Sequence, residues 1–321
     1  MKKVLMLIMA TVFTLALAAC GSDENKNAAS GNGGNSGESA SDKITIEHQL
    51  GKTEFSKNPQ KLVVFDFGVL DSLDKLGIEV TGVPQKNIPP YLSKYEDAKY
   101  ENVGSLKEPD FEKINQIKPD LIIISGRQSD AYEELSKIAP TIYMGVDTAR
   151  YMESFKENMN TLGQIFGKED QIKTELETVD KEIAALNEKV TASGKNALII
   201  LANEGKISAY GPGSRFGILH DVFGFTAVDP GIEVSTHGKD ISSEYIVEKN
   251  PDYLFVVDRG AVVATGQDSG AKDVVENELV KTTNAYKDGN IVYLDPNYWY
   301  LSGGGLTSVS EMVKEVSAGV K

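Results

Sequence analysis

The stretch EKINQIKPDLIIISGR, at Glu112–Arg127, is informative about the fold because a close counterpart, EYIVEKNPDYLFVVDR, returns at Glu244–Arg259. In each copy a helix-like segment ends at a Pro-Asp pair, and an apolar run follows directly. A short apolar run bounded by a turn is typical of a strand buried on both faces of a parallel sheet. The chain therefore builds one helix–turn–strand unit twice and ends each copy on an arginine.

Strands and helices alternate around both copies. Strand-like runs such as KLVVFD at 61–66, TIYMGV at 141–146 and ALIILA at 197–202 are separated by helical segments. Such alternation predicts a parallel, doubly wound sheet. We therefore expect an α/β protein with two Rossmann-like lobes, one around each copy of the unit, and a ligand cleft between the lobes.

One long helix is predicted between the lobes. Residues 168–190 contain neither Gly nor Pro, and their apolar positions recur every three or four residues at Ile172, Leu176, Val179, Ile183, Leu186 and Val190. This seam predicts an amphipathic helix of about 34 Å that braces the two lobes rigidly. A coiled-coil dimer is the alternative. The predicted organisation is an N-terminal lobe at 44–150, a helical segment with the inter-lobe helix at 151–192, and a C-terminal lobe at 193–321.

The N-terminus has the pattern of an export signal. Lys2–Lys3 precede the apolar run Val4–Leu17, which is too short to span a membrane. The run leads into LAAC, which ends at Cys20, the only cysteine in the chain, and resembles the lipobox of bacterial lipoproteins. We expect a lipoprotein signal peptide at 1–19, then lipidated Cys20 and a flexible Gly/Ser/Asn-rich tether at 20–43. An ordinary secretory signal that happens to contain a cysteine is the alternative.

The net charge argues against nucleic acid as a partner. The formal net charge is −14, whereas nucleic-acid binding needs a basic face. An acidic chain must hold an anionic ligand in a locally positive pocket.

Arginine use points to such a pocket. Of the 33 basic residues only four are arginine, namely Arg127, Arg150, Arg215 and Arg259. Arg127 and Arg259 follow strand ends, where ligands of open α/β sheets bind, so we expect them to converge on one cleft. The planar arginine fork suits oxyanions better than lysine does. The alternative is that the repeat is duplicated scaffold and its arginines are ordinary surface residues.

A glutamate stands at the start of each copy of the repeat. Glu112 and Glu244 begin the helical part of the repeat. We expect both to be exposed and to lie far from the cleft, at the opposite end of the unit. A solvated helix face is the alternative to a specific role.

Aromatic residues and a glycine-rich loop add candidates. Trp299 and Tyr300 follow a strand, and Tyr210 ends another. We expect them to line a site for an anionic, ring-bearing ligand, with core packing as the alternative for Trp299. The loop GPGSRFG at 211–217 is interpreted as a close-approach loop whose helix start favours an anion, with a simple turn as the alternative.

Enzyme signatures are not found in the sequence. It has no G-x-S-x-G or H-E-x-x-H motif, and its one cysteine lies in the leader. None of its three histidines, His48, His220 and His237, pair at metal-ligand spacing, which argues against direct zinc or manganese capture. His237, in the segment STHGKD, is expected to line the cleft.

The chain resembles the siderophore- and cobalamin-type substrate-binding proteins of ABC importers over about residues 44–321. The resemblance is clearest in NPQKLVVFDFGVLDSLDKLGI, VGSLKEPDFEKINQIKPDLIIIS and ISSEYIVEKNPDYLFVVD. The segments IISGRQS, SRFGILHDVFG, STHG and WYLSGGGL resemble more narrowly the petrobactin-binding lipoproteins of Gram-positive bacteria.

That resemblance implies a ligand and partners. The ligand would be ferric petrobactin, a trianion whose iron is held by catecholates and a citrate-derived group, without any cofactor or direct metal ligand from the protein. Arg127, Arg215 and Arg259 would face its oxygens, assisted by Lys107 and tyrosines. Glu112 and Glu244 would dock onto an ABC permease, which works with its ATPase. The protein would be a monomer anchored by lipid to the outer face of the cytoplasmic membrane. Another catecholate siderophore, haem or a corrinoid remains the alternative ligand, and an exported enzyme is a less favoured one.

Overall fold

The computed structural model describes residues 43–263 and 270–321. The signal peptide, Cys20 and the tether predicted at 1–42 lie outside these residues. No helix among the described residues is both long and apolar enough to cross a bilayer.

The described chain alternates strands and helices almost throughout. The strands are β1 (Lys43–His48), β2 (Gly51–Ser56), β3 (Leu62–Val64), β4 (Gly82–Val83), β5 (Glu101–Asn102), β6 (Leu121–Ile124), β7 (Thr141–Tyr143), β8 (Asn196–Asn203), β9 (Lys206–Tyr210), β10 (Thr226–Ala227), β11 (Lys239–Ile241), β12 (Tyr253–Asp258) and β13 (Ile291–Leu294). The helices are α1 (Phe67–Lys75), α2 (Phe111–Ile117), α3 (Tyr132–Ile138), α4 (Tyr151–Phe166), α5 (Glu169–Ser193), α6 (Ile218–Asp221), α7 (Ser243–Lys249), α8 (Gly260–Val263), α9 (Ala271–Val275), α10 (Asn284–Lys287) and α11 (Leu306–Gly319).

The N-terminal lobe is built on a five-stranded parallel sheet in the order β5-β4-β3-β6-β7. Its central strands, β3 and β6, are entirely apolar and fully buried, as expected for strands covered on both faces. The strand order reverses direction between β3 and β6. Ligands of such sheets bind beyond the carboxyl ends of the strands at this switch point.

The C-terminal lobe departs from the predicted all-parallel sheet. Its strand order is β11-β9-β8-β12-β13, with β10 beside β8. β8, β12 and β13 are parallel, but β9 runs antiparallel to β8. The reason is local, because only Glu204 and Gly205 separate the two strands and both have positive φ, which closes a tight hairpin. The two-lobed α/β class is confirmed, and the second sheet is mixed.

The hairpin β1–β2 was not among the predicted elements. It pairs antiparallel at the start of the described chain. Thr53 Oγ1 donates a hydrogen bond to Thr141 O at 2.8 Å, which fixes the hairpin against the edge strand β7.

The long helix forms as predicted. α5 covers 25 residues, and Gly194 ends it in the left-handed conformation. Five of its six seam residues are buried, and Ile183 packs against the same core. The seam packs on α4 and α11 of the same chain rather than on a second copy. The chain passes from one sheet to the other through α4 and α5 together, so the predicted single-helix connection is corrected to a pair. The predicted lobe boundaries stay predictions.

A second connection joins the lobes where α1 meets the start of α11. Asp71 on α1 is buried, and its carboxylate accepts hydrogen bonds from the backbone N–H groups of Thr307 and Ser308 at 3.1 and 3.0 Å. Gly305 lies against this carboxylate, where a Cβ atom would clash with it. The N-terminal lobe thus caps a helix that begins after the last strand of the other lobe.

Candidate functional site

The two copies of the repeat have the same local construction. α2 and α7 both end on a residue in the left-handed conformation, Lys118 and Asn250 respectively. The aspartate that follows each proline then binds the start of the neighbouring central strand. Asp120 accepts the backbone N–H of Lys61 at 2.8 Å, and Asp252 accepts that of Asn196 at 3.1 Å. The Pro-Asp pairs therefore align β6 with β3 and β12 with β8, which sets where each arginine emerges.

Three arginines converge on Tyr300. Arg127 and Arg215 each donate a hydrogen bond to the Tyr300 carbonyl oxygen at 2.7 Å. Arg259 Nε donates to the Tyr300 hydroxyl at 2.8 Å, and its Nη1 donates to Asn203 Oδ1 at 2.6 Å. The guanidinium carbon of Arg215 lies 4.1 Å from the centre of the Tyr300 ring. The predicted convergence is confirmed, although the arginines meet around an aromatic side chain as well as around a cleft.

The fourth arginine provides a contrast. Arg150 forms ion pairs with Asp147, Glu153 and Glu157 at 3.1–3.5 Å. Its charge is neutralised locally by carboxylates, whereas the three cleft arginines bind carbonyl, hydroxyl and amide oxygens, which are neutral. The cleft arginines therefore keep their positive charge available to a ligand.

Crowded positive charge perturbs the ionisable groups of the cluster. Burial and the nearby charge of Arg127 lower the pKa of Arg215. Burial would raise the pKa of the Tyr300 hydroxyl, but the hydrogen bond from Arg259 and the charges of all three arginines outweigh it and lower that pKa. The shift of Tyr300 therefore reflects the positive charge around it, whereas the shift of Arg215 reflects burial first and the charge of Arg127 second.

The cluster lines a cleft made of three adjoining hollows of about 540, 380 and 270 Å³. Lys107 and Tyr300 line all three hollows. His237 lines the two larger hollows, and Tyr210 lines the second. The two larger volumes are in the range of small-molecule sites.

Two further lysines were missed in the sequence. Lys86 and Lys206 are exposed residues that line the cleft from opposite lobes. Lysine is common in this chain, so nothing in its local pattern distinguished these two. Asn203, which positions Arg259, could have been found by its place at the end of a central strand.

Trp299 packs in the core, which fits the alternative given for it. Its side chain is only 3% exposed and lies against Phe216 and Phe223. Its indole N–H donates to Glu315 at 2.8 Å. The ring borders the largest hollow without presenting a free face to it. Tyr210 is also buried, with its ring edge-on to Phe216.

The loop at 211–217 is a turn. The Gly213 N–H donates to Asp221 on α6 at 2.6 Å. A carboxylate of the chain itself therefore occupies the loop, and α6 has only four residues. The structure favours the simple turn over the anion site predicted here.

Glu112 and Glu244 are exposed as predicted, but their predicted distance from the cleft is wrong. Each helix runs antiparallel to the strand that follows it, so the helix begins at the edge where the strand ends. Residues 105–108, which precede α2, line the cleft, and Gln128 Nε2, in the turn that follows β6, donates to Leu106 O at 2.5 Å. Glu244 lines a hollow together with Lys206 and Asp240, and these two also line the cleft.

Comparisons with known proteins agree with this geometry. A profile of the periplasmic binding protein family matches residues 62–298. The petrobactin-binding protein YclQ of Bacillus subtilis is 52% identical over the full length of both chains. The ferric-anguibactin-binding protein FatB of Vibrio anguillarum is 31% identical, over 86% of this chain and 87% of its own.

Solved structures of siderophore-binding proteins also match this chain. The crystal structure of YclQ matches with a TM-score of 0.85 and 56% identity, covering 87% of this chain and 99% of that one. The catecholate-siderophore binding protein VctP of Vibrio cholerae matches with a TM-score of 0.81 and 41% identity, covering 86% of this chain and 99% of that one.

Proposed function

The chain belongs to the periplasmic binding protein family, and we propose that it captures a ferric catecholate siderophore, ferric petrobactin in particular, and delivers it to an ABC permease for iron uptake. On this proposal the protein is a carrier and not an enzyme. The iron enters as part of the cargo and is held by the siderophore.

The convergence of Arg127, Arg215 and Arg259 on one cleft carries the proposal. A guanidinium has five N–H donors, and within the described part of the chain Arg215 donates one hydrogen bond while Arg127 and Arg259 donate two each. Their remaining donors can bind catecholate and carboxylate oxygens in pairs. Three positive charges match a trianion, and the Tyr300 ring offers a surface for the aromatic rings of the ligand.

The neighbours of the cluster support the same ligand class. Lys107, Lys86 and Lys206 add flexible positive charge at the rim. Tyr210 and His237 add polar groups on the side of the C-terminal lobe. YclQ binds petrobactin, FatB binds ferric anguibactin and VctP binds a catecholate siderophore. The similarity to these three proteins supports a siderophore as the ligand of this chain.

Delivery requires a partner and a membrane location. We propose that Glu112 and Glu244, one on each lobe, dock onto basic residues of the permease, whose ATPase drives transport. Lipidation of Cys20 would hold the protein, as a monomer, at the outer face of the cytoplasmic membrane, with residues 21–43 as a tether. Family membership and the exposure of both glutamates support this arrangement.

The test is a fluorescence titration of the mature protein with ferric petrobactin. Trp299 is the only tryptophan, so its emission reports on the cleft that it borders. We expect saturable quenching at nanomolar to sub-micromolar ligand, weakened at least tenfold in Arg127→Ala. Arg150→Ala, whose arginine is already paired with carboxylates, is the matched control and should bind as wild type does. Quenching by haem or cobalamin, with no response to any siderophore of a panel, would overturn the proposal.

A further inference from the structure

Large apolar side chains are exposed beside both of the glutamates. Among the described residues, the strongly exposed large apolar side chains are Phe111, Val234, Leu279 and Tyr293. Phe111 directly precedes Glu112, and Leu279 lines the same hollow as Glu244. An exposed apolar residue next to each glutamate, one on each lobe, needs an explanation, because scattered single ones would not.

On the N-terminal lobe the exposed apolar residue, Phe111, lies on a helix that is fixed at its start. Phe111 is the first residue of α2 and is 39% exposed. Asp110 caps the helix by accepting the Lys113 N–H at 2.9 Å, and Ile114 is fully buried. Lys113 itself pairs with Glu101, so this lysine does not neutralise Glu112. The exposure of Phe111 therefore belongs to a capped, anchored helix and not to a frayed end.

On the C-terminal lobe a different segment supplies the apolar side chain. Leu279 is 45% exposed and lies with Glu244 in a hollow of about 440 Å³. Asn277 fixes this arrangement, since its Nδ2 donates to Ser243 Oγ at 2.6 Å and its Oδ1 accepts the Leu279 N–H at 3.0 Å. A hydrogen bond from Ser242 lowers the pKa of Glu244, so its carboxylate stays charged.

We propose that each lobe docks onto the permease through a pair of side chains, a glutamate and an apolar anchor: Phe111 with Glu112, and Leu279 with Glu244. The occupant of each patch is an extracellular loop of the permease that presents an arginine beside an apolar residue. This inference rests on the proposed function and names the contact surface through which that function would be carried out.

The apolar side chain of each pair is needed for docking affinity. An ion pair between exposed side chains contributes little affinity, because solvent and salt screen it. Charge complementarity speeds encounter and sets orientation, whereas a few well-packed side chains near the centre of an interface supply most of its binding free energy. Two glutamates alone would steer the protein to its transporter without holding it there.

The experiment measures docking and ligand binding separately. The cognate importer, permease with ATPase, is placed in lipid nanodiscs, and binding of the mature protein is followed by interferometry, both without ligand and with ferric petrobactin. We expect Phe111→Ser and Leu279→Ser each to weaken docking about tenfold, a typical loss for an apolar anchor. Val234→Ser is the matched control, because Val234 is 63% exposed and lies outside the hollow at Glu244.

The outcomes distinguish the two proposals. Fluorescence titration should show unchanged affinity for ferric petrobactin in both serine variants. If both serine variants dock as tightly as wild type, and only Glu112→Ala and Glu244→Ala lose docking affinity, the proposed apolar anchors are overturned and docking depends on charge. A wild-type protein that does not bind the importer at all would overturn them too. A protein that docks but binds no siderophore would refute the proposed ligand, and the serine variants would still decide the docking question.

Discussion

Replacing Asp71 by asparagine tests whether burial or hydrogen bonding determines the protonation of this residue, which lies at the junction of the two lobes. The buried carboxylate accepts two backbone N–H groups at the start of α11 and the Tyr91 hydroxyl at 3.2 Å. These hydrogen bonds and the helix start favour the charged form. Burial favours the neutral form, and it wins, because the pKa of Asp71 is raised from 3.8 to about 7.

The sign of the pH effect follows from that shift. In an unfolded chain an aspartate has a pKa of about 3.9. Between about pH 4 and the folded pKa, the native protein holds a proton that the unfolded chain releases, so the free energy of unfolding falls as pH rises. At about 1.4 kcal/mol per pKa unit, the fall between about pH 5 and pH 8 is roughly 2–3 kcal/mol. Asparagine imitates the neutral carboxyl and removes this dependence.

Urea unfolding at several pH values measures the difference. The free energy of unfolding of Asp71→Asn minus that of wild type should rise by roughly 2–3 kcal/mol from about pH 5 to about pH 8. Asp110→Asn is the matched control, because Asp110 also accepts a backbone N–H at a helix start but is exposed. A difference for Asp71→Asn that stays constant, or falls, would contradict a raised pKa of Asp71 and show that the helix start keeps the carboxylate charged.

Two further predictions concern the cleft and its support. Tyr300→Phe removes the hydroxyl that accepts a hydrogen bond from Arg259 but keeps the ring and the carbonyl. Calorimetry should therefore show about fivefold to tenfold weaker binding of ferric petrobactin, with an unchanged melting temperature. Unchanged affinity would contradict the role of this hydroxyl. Burial raises the pKa of Glu315, which accepts the Trp299 N–H, to about 7. Trp299 emission should therefore titrate near neutral pH, and Glu315→Gln should abolish the titration; a titration that persists would point to another group.

The duplicated unit was predictable because its physics is local. A buried apolar strand after a Pro-Asp turn can be recognised within about sixteen residues, and the carboxyl end of such a strand is a general ligand site. Arg127 and Arg259 followed from that rule. The long helix α5 could also be predicted, because the spacing of its apolar residues and the glycine that ends it are visible in the sequence.

Other features depend on contacts that no local pattern records. Asp71 looks like an ordinary polar residue of an amphipathic helix, and only the approach of α11, distant in sequence, buries it. Trp299 follows a strand as predicted, but it lies in a helical turn at Asn297–Leu301, and Phe216 and Phe223, which enclose it, come from another part of the lobe. The β8–β9 hairpin likewise turned a predicted parallel sheet into a mixed one.

The misplaced glutamates change the meaning of the repeat. A helix that runs antiparallel to its following strand must begin where that strand ends, so Glu112 and Arg127 share one edge of the first lobe, as Glu244 and Arg259 do in the second. In the structure, Arg127 of the first lobe also binds the carbonyl oxygen of Tyr300, which follows the last strand of the second lobe. An anion that competes for Arg127 competes with a bond between the lobes. That bond lies at the edges of the lobes that carry Glu112 and Glu244, so the surface proposed for the permease adjoins the place where a bound anion would compete with it.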